Sequence, residues 1–309
     1  LSGIGQKILA DIRADIRDAQ KMKDIISDYQ PEIVFHLAAQ PLVRLSYDIP
    51  AETYATNVMG TIHIMEAIRS AKSVKVAIMI TTDKCYENKE QLTGYKENDP
   101  FGGYDPYSSS KGACEIAIQS WRRSFFNPKD YGTKHNVSLA SVRAGNVVGG
   151  GDWALDRIIP DCIRSLESNV PIRIRSPRAI RPWEHVLEPL SGYLLLAQKM
   201  WNFPTYYCEG WNFGPESDSV STVWDVATKL ITHYDHGELI DISNPNEALH
   251  EANLLMLDIT KAKAKLGWKP RLNLDECIAL TSDWYKKYNK QDVYDLCIDQ
   301  IHFFNILKK

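Results

Sequence analysis

Tyr107 and Lys111 stand four residues apart in Tyr107-Ser108-Ser109-Ser110-Lys111, the spacing that stacks two side chains on one face of a helix. A free phenol ionises near ~10, and a cation within ~5 Å together with the positive end of a helix favours the phenolate, so such a tyrosine can take a proton near neutral pH. The same pair also occurs on solvated helix faces, and the spacing alone is weak. Thr82 and Asp83, one strand-to-helix connection earlier, add weight. A hydroxyl there can hold a substrate oxygen and a carboxyl can give or take a proton; the ordinary reading of the two is an N-cap or Asx-turn closing a strand. Lys84 is open to three readings: a solvated turn lysine, a phosphate or carboxylate partner, or, if buried beside Lys111, an amine of lowered pKa acting as base.

Asn146, Arg157, Arg173, Arg178, Arg181, His185 and Asn212 are candidates for phosphate and base contacts, although half of them could be ordinary surface ion pairs. Cys85 reads as a small core residue and His36, at the end of an apolar run, as a core histidine. Ser2-Gly3-Ile4-Gly5 imitates a dinucleotide fingerprint but fails it. No strand precedes it, and Ile8 occupies the place of the third glycine, so a loop is expected.

These residues need elements to hold them. From residue 20 to 150 the chain repeats a short apolar run, a polar cluster and a helical stretch, which predicts βαβ units and a parallel sheet. The runs are Glu32 to Ala39, Val74 to Thr82 and Val137 to Val148, and ligands of open parallel sheets sit outside such strand ends. A helix pattern carries Tyr54, Val58, Ile62, Met65 and Arg69. Asp105 and Pro106 read as N-cap and N1 of a helix whose apolar face would be Ala113, Ile116, Ala117, Trp121 and Phe125. Beyond 150 the segments are shorter, Pro-punctuated and rich in Arg and Trp, with helices expected near 186 to 201, 222 to 234 and 274 to 288. The expected architecture is α/β: a Rossmann-like doubly wound parallel sheet over 1–148, and a smaller α/β substrate domain over 149–309, interleaved with the first.

Thirty-six Lys and Arg against 39 Asp and Glu leave a net charge of -3 over 309 residues, so no global field attracts nucleic acid or anionic membrane. Six scattered cysteines with no metal spacing suggest neither a disulfide scaffold nor zinc, and fit a reducing cytoplasm. No apolar run approaches the roughly 18 residues of a membrane helix.

Phe35-His36-Leu37-Ala38-Ala39-Gln40, Thr81-Thr82-Asp83-Lys84-Cys85-Tyr86 and the Tyr107 to Lys111 block together resemble the extended short-chain dehydrogenase/reductases. Within them, Gly102 to Tyr107, Arg143 to Trp153, Arg181 to Pro189 and Glu209 to Pro215 are similar to the CDP-glucose 4,6-dehydratases, from about Asp15 to the C-terminus. The resemblance implies NAD as cofactor, bordered by Asp15 and Ile16, Ala38, Ala39 and Gln40, with Asn57 in support. It implies catalysis by Thr82, Asp83, Lys84, Tyr107 and Lys111, with Lys84 where dTDP-glucose dehydratases carry the Glu that acts as C5 base. CDP-glucose would be held by Asn146, Arg157, Arg173, Arg181, His185 and Asn212, in a homodimer or higher homo-oligomer. It also implies an opening strand and Gly-rich loop, roughly 30 residues or more, which this sequence does not show, so the expectation is a sequence incomplete at its N-terminus.

Overall fold

The computed structural model describes residues 3–91, 93–216, 220–244 and 254–307. In the first half, α1 (Ala19–Tyr29) leads to β1 (Ile33–His36). Next come α2 (Val43–Asp48), α3 (Pro50–Tyr54), a π-helical turn over Ala55–Met59, α4 (Gly60–Ser70) and β2 (Val76–Ile80). A 3-10 turn over Asp83–Cys85 then precedes α5 (Pro106–Ser124) and β3 (Ser138–Ala144). The second half runs β4 (Asn146–Val148), α6 (Ile158–Glu167), β5 (Ile172–Ile174), β6 (Ile180–His185), α7 (Leu187–Asn202) and β7 (Gly210–Phe213). It continues through β8 (Val220–Thr222), α8 (Val223–Tyr234), β9 (Leu239–Asp241), α9 (Leu274–Lys287) and α10 (Val293–Ile306).

The main sheet is parallel, in the order β1-β2-β3-β7. Its strands are apolar on both sides, and the period of two sorts their residues. Val76, Ile78, Ala140 and Val142 pack with Tyr193, Leu196 and Met200 of α7. Ala77, Met79 and Leu139 pack on the opposite face with Met22 and Ile26 of α1, Met65 and Ile68 of α4, and Ile118 of α5. Helices therefore cover both faces, the doubly wound plan. Each large side chain removed wholly from water contributes about 1.5–3 kcal/mol toward holding the strand ends in place.

Three local expectations change. The run from Val137 to Val148 breaks at Gly145: β3 stays in the main sheet, whereas β4 pairs in parallel with β6, which pairs antiparallel with β8. The expected apolar face of α5 is buried only in part: Ala117 and Trp121 pack on the core, Ile116 and Phe125 are exposed, and Tyr107, Lys111, Cys114, Glu115 and Ile118 are buried. The glycine-bearing start holds one 3-10 turn over Ile4–Gln6, with Ser2 outside the described residues. A separate two-stranded sheet pairs β5 with β9. Among the described residues no helix is long and apolar enough to cross a membrane, and no group of three His, Cys, Asp or Glu is placed to hold a metal ion.

Candidate active site

The start of α5 is fixed from several directions. Asp105 accepts the Ser108 N–H at 2.9 Å and the Ser108 hydroxyl at 2.6 Å, and Pro106 follows as the first helical residue. Gly103 has φ 138°, and a Cβ on it would lie 2.3 Å from Ser109 N, so only glycine lets the loop approach this turn. Tyr107 N donates to Ser46 Oγ of α2 at 3.1 Å. Asn57 is nearly fully buried and joins α5 to the loop after β1. It accepts from Gln40 N at 2.8 Å and donates to Gln40 O at 3.1 Å and to Ser110 Oγ at 2.9 Å. Gln40 is thus held by Asn57, while Ala38 beside it is exposed and Ala39 partly so.

At the end of β2, Thr82 caps the 3-10 turn by accepting the Lys84 N–H at 3.4 Å, and its hydroxyl donates to Asp83 Oδ1 at 2.9 Å. The capping reading of Thr82 is thus seen in the structure. Asp83 is fully buried, and its Oδ2 has no partner among the described residues. Lys84 Nζ lies 3.6 Å from Asp83 Oδ1 and 3.5 Å from Asn146 Oδ1. The Thr82 hydroxyl also acts on the Tyr107 phenol, so the end of β2 and the start of α5 meet here.

Electrostatics here departs from the simple expectation. Burial pushes the Tyr107 phenol above its ordinary value; the Thr82 hydrogen bond and the charge of Arg157 pull it down without reversing this. Burial also lowers Lys111, whose ammonium makes one long bond, 3.5 Å to Ile80 O. Both groups are dehydrated, so each is pushed toward its neutral form.

Two buried charged residues, not among the expected site residues, hold this region together. Glu115 and Arg143, both fully buried, form a bidentate pair with Arg143 Nε on Glu115 Oε1 and Nη2 on Oε2, each at 2.8 Å. Glu115 also accepts from Thr81 Oγ1 at 2.5 Å and Ser141 Oγ at 2.8 Å, and Arg143 Nη1 donates to Tyr86 Oη at 2.6 Å. Burial opposes both charges, but their attraction wins: Glu115 is held below the usual carboxylate range and Arg143 well above its own. Tyr107, Lys111 and Glu115 recur every four residues along α5, so this pair pins the reactive helix face to β2 and β3.

Of the expected nucleotide contacts, Asn146 meets Lys84, and Arg157 at the start of α6 is half-exposed, ion-paired with Asp152 at 3.1 Å and felt by Tyr107. Arg181 is buried on β6 and its Nη1 donates to Ile180 O at 2.9 Å. Arg173 stands exposed on β5, in the two-stranded sheet, and Arg178 is exposed as well. Asp15 is exposed, and both its carboxylate oxygens accept from Arg17; Ile16 packs on Gly60, where a Cβ would lie 2.5 Å from Ile16 Cδ1. Two of the expected contacts lie in the core. Asn212 is fully buried, donating to Tyr95 O at 2.8 Å and accepting from Tyr86 Oη at 2.7 Å, so its amide belongs to the core. His185 is also buried, its Nδ1 accepts from Leu187 N, and burial lowers it to about 4, so it is a neutral core group. His36 is the expected core histidine, 3.1 Å from Thr61 Oγ1, and Cys85 is buried too. A groove of about 600 Å³ beside α8 and α9, lined by Asp225, Lys229, Asn273 and Asp275, carries none of these groups.

A family model described as GDP-mannose 4,6 dehydratase matches residues 6–281. The chain is 50% identical over 285 residues to the CDP-glucose 4,6-dehydratase of Salmonella typhimurium, covering 92% of this chain and 78% of the relative. A dTDP-glucose 4,6-dehydratase from Bacillus anthracis in complex with NAD superposes with a TM-score of 0.74 at 18% identity, over 91% of this chain and 81% of that one. A Thermus thermophilus UDP-glucose 4-epimerase complex with NAD gives 0.75 at 20% identity, over 89% and 84%. These two likenesses establish the fold.

Proposed function

The chain belongs to the GDP-mannose 4,6-dehydratase family, and from that premise we propose that it carries out the NAD-dependent 4,6-dehydration of CDP-D-glucose to CDP-4-keto-6-deoxy-D-glucose. The residues fit the cofactor. Ala38 and Ala39 leave a small-residue ledge after β1, Gln40 is locked by Asn57, and the Lys111 ammonium, with one long bond, keeps donors for ribose hydroxyls. Bound there, NAD supplies a hydride acceptor for C4 of the sugar and a hydride donor for C6.

Tyr107, on which the Thr82 hydroxyl acts, takes the proton of the 4-hydroxyl as the ketone forms. Because burial raises the phenol, Arg157, whose charge acts on it, is needed to favour the phenolate. The 4-ketone acidifies the C5 hydrogen. Lys84 removes that proton while Asp83 gives its own to the C6 hydroxyl, which departs as water. The pair ends the step as ammonium and carboxylate, the ion pair seen at 3.6 Å; Lys84 then gives its proton to C5 as C6 is reduced, and the proton that Tyr107 took from the 4-hydroxyl restores Asp83. Asn146, Arg157 and Arg181 grip the diphosphate, with Arg173 further out, and that remote binding energy orients the sugar.

The observation that carries this reading is Asp83: a wholly buried acid with one oxygen that has no partner among the described residues, beside Thr82 and Lys84. Epimerisation at C4 has no use for an acid at the C6 hydroxyl. The test is to incubate the protein and NAD+ with CDP-glucose, then with dTDP-glucose, and to follow the sugar by mass spectrometry and NMR. Loss of water from CDP-glucose is expected. An inverted C4 without water loss would replace the proposal by a 4-epimerase, and preference for dTDP-glucose would overturn the nucleotide. A cytoplasmic homodimer completes the reading. Six free cysteines support the compartment, and the exposure of Tyr54, Met59 and Ile116 supports pairing through these helices, which light scattering of the purified protein tests.

A further inference from the structure

Gly145 stands where the main sheet hands over to the second, between the end of β3 at Ala144 and the start of β4 at Asn146. A Cβ on it would lie 2.9 Å from Pro182 Cγ and 3.1 Å from Pro182 O, so β6 runs hard against this corner. Two residues along β6, Glu184 accepts the Gly145 N–H on Oε1 at 3.2 Å. Its Oε2 has no partner among the described residues, although the residue is only 2% exposed. The charged groups that act on it are both acids: Glu188 of α7 and Asp83 at the end of β2. Tyr193 of α7 and Cys277 of α9 feel its charge in turn. Burial, reinforced by Glu188 and Asp83 against the Gly145 hydrogen bond, raises the carboxyl to about 8, so it is uncharged at neutral pH. The residue after Gly145 is Asn146, whose Oδ1 accepts from Lys84 Nζ at 3.5 Å, and Lys84 lies 3.6 Å from Asp83.

We propose that Glu184 is a positioning residue that fixes the Gly145–Asn146 corner and, through Asn146, holds Lys84 against Asp83 for the elimination of water. This rests on the reaction assigned above. A carboxylate in its place would add a negative charge close to Asp83 in a dehydrated site and compete with it for Lys84.

The pH profile of water loss from CDP-glucose separates this role from plain packing. In the wild type kcat falls above an apparent pKa near 8, about tenfold per pH unit for a single proton. In Glu184→Gln, which keeps an acceptor for Gly145 and cannot ionise, that limb is absent. Glu184→Ala, which has no acceptor, loses kcat roughly tenfold or more at every pH while KM stays within about threefold. Thermal unfolding gives a second readout. Because the folded value lies above the ordinary 4.5, the folded state holds the extra proton between these values and stability falls as pH rises through them, so the Tm of Glu184→Gln gains on the wild type from pH 5 to 8. An alkaline limb shared by the wild type and Glu184→Gln, a Tm gap that does not grow, or wild-type kcat in Glu184→Ala overturns the inference alone. No water loss by the wild type from either nucleotide sugar overturns the reaction itself, and this role with it.

Discussion

Replacing Arg143 by Met would leave the Glu115 carboxylate inside the protein with only the hydroxyls of Thr81 and Ser141 for company. Removing one partner of a buried pair costs roughly 3–5 kcal/mol, because the surviving charge is neither solvated nor matched. At about 1.4 kcal/mol per decade that is two to three and a half powers of ten in the folding equilibrium. The double replacement Glu115→Leu with Arg143→Met should cost far less. Thr81 keeps a second acceptor, Val142 O at 3.2 Å, and Tyr86 keeps Asn212 at 2.7 Å, so mainly the Ser141 hydroxyl loses its partner, worth about 1–2 kcal/mol. The assay is urea unfolding followed by the fluorescence of the eight tryptophans, read as a double-mutant cycle. A cost below about 1 kcal/mol for Arg143→Met, or a double mutant equal to the sum of the singles, would refute the reasoning that these charges are dehydrated and mutually dependent.

Asp83→Asn should still permit oxidation at C4 while slowing water loss, so absorbance at the NADH band should appear on adding CDP-glucose and persist; full turnover would remove the acid from Asp83. Tyr107→Phe should cut the first hydride transfer by about 10²–10⁴-fold, read as the rate of that same absorbance. His36 and His185 are both lowered to about 4, chiefly by burial, against an ordinary 6.5. The folded state therefore binds fewer protons between these values, and stability is present above 6.5 and lost as pH falls toward 4, by on the order of 3 kcal/mol per histidine. Thermal unfolding from pH 7 to 4.5 should show a steep acid side for the wild type and a flatter one for His36→Gln with His185→Gln.

The parallel plan was legible because β1 and β2 are unbroken apolar runs, and the start of α5 because Asp105 and Pro106 are local signals that need no distant partner. The buried face of α5 was not. Ile116 read as core and Glu115 was not singled out, and only the placement of β3 beside β2, which brings Arg143 under the helix, accounts for the burial of that acid. The packing of Asn212 was hidden for the same reason: its amide serves Tyr95 and Tyr86, more than a hundred residues away in sequence, and nothing nearby announces it. At the site itself, Thr82, Asp83 and Lys84 were found as strand-end residues, whereas Glu184 stayed hidden because an acid kept uncharged by its surroundings looks on paper like any surface glutamate.

The fourth strand of the main sheet has a consequence for how the molecule is made. β3 borders β2 on one side only until β7 arrives to pair Gly210 with Ser141 and Phe213 with Ala144. Roughly 65 residues separate the two, which at about 5–20 residues per second on the ribosome leaves several seconds in which an apolar strand offers its open backbone to any passing chain. Newborn molecules of this enzyme should therefore be captured by chaperones during that interval, and release stalled before Phe213 should yield aggregates rather than a working first half.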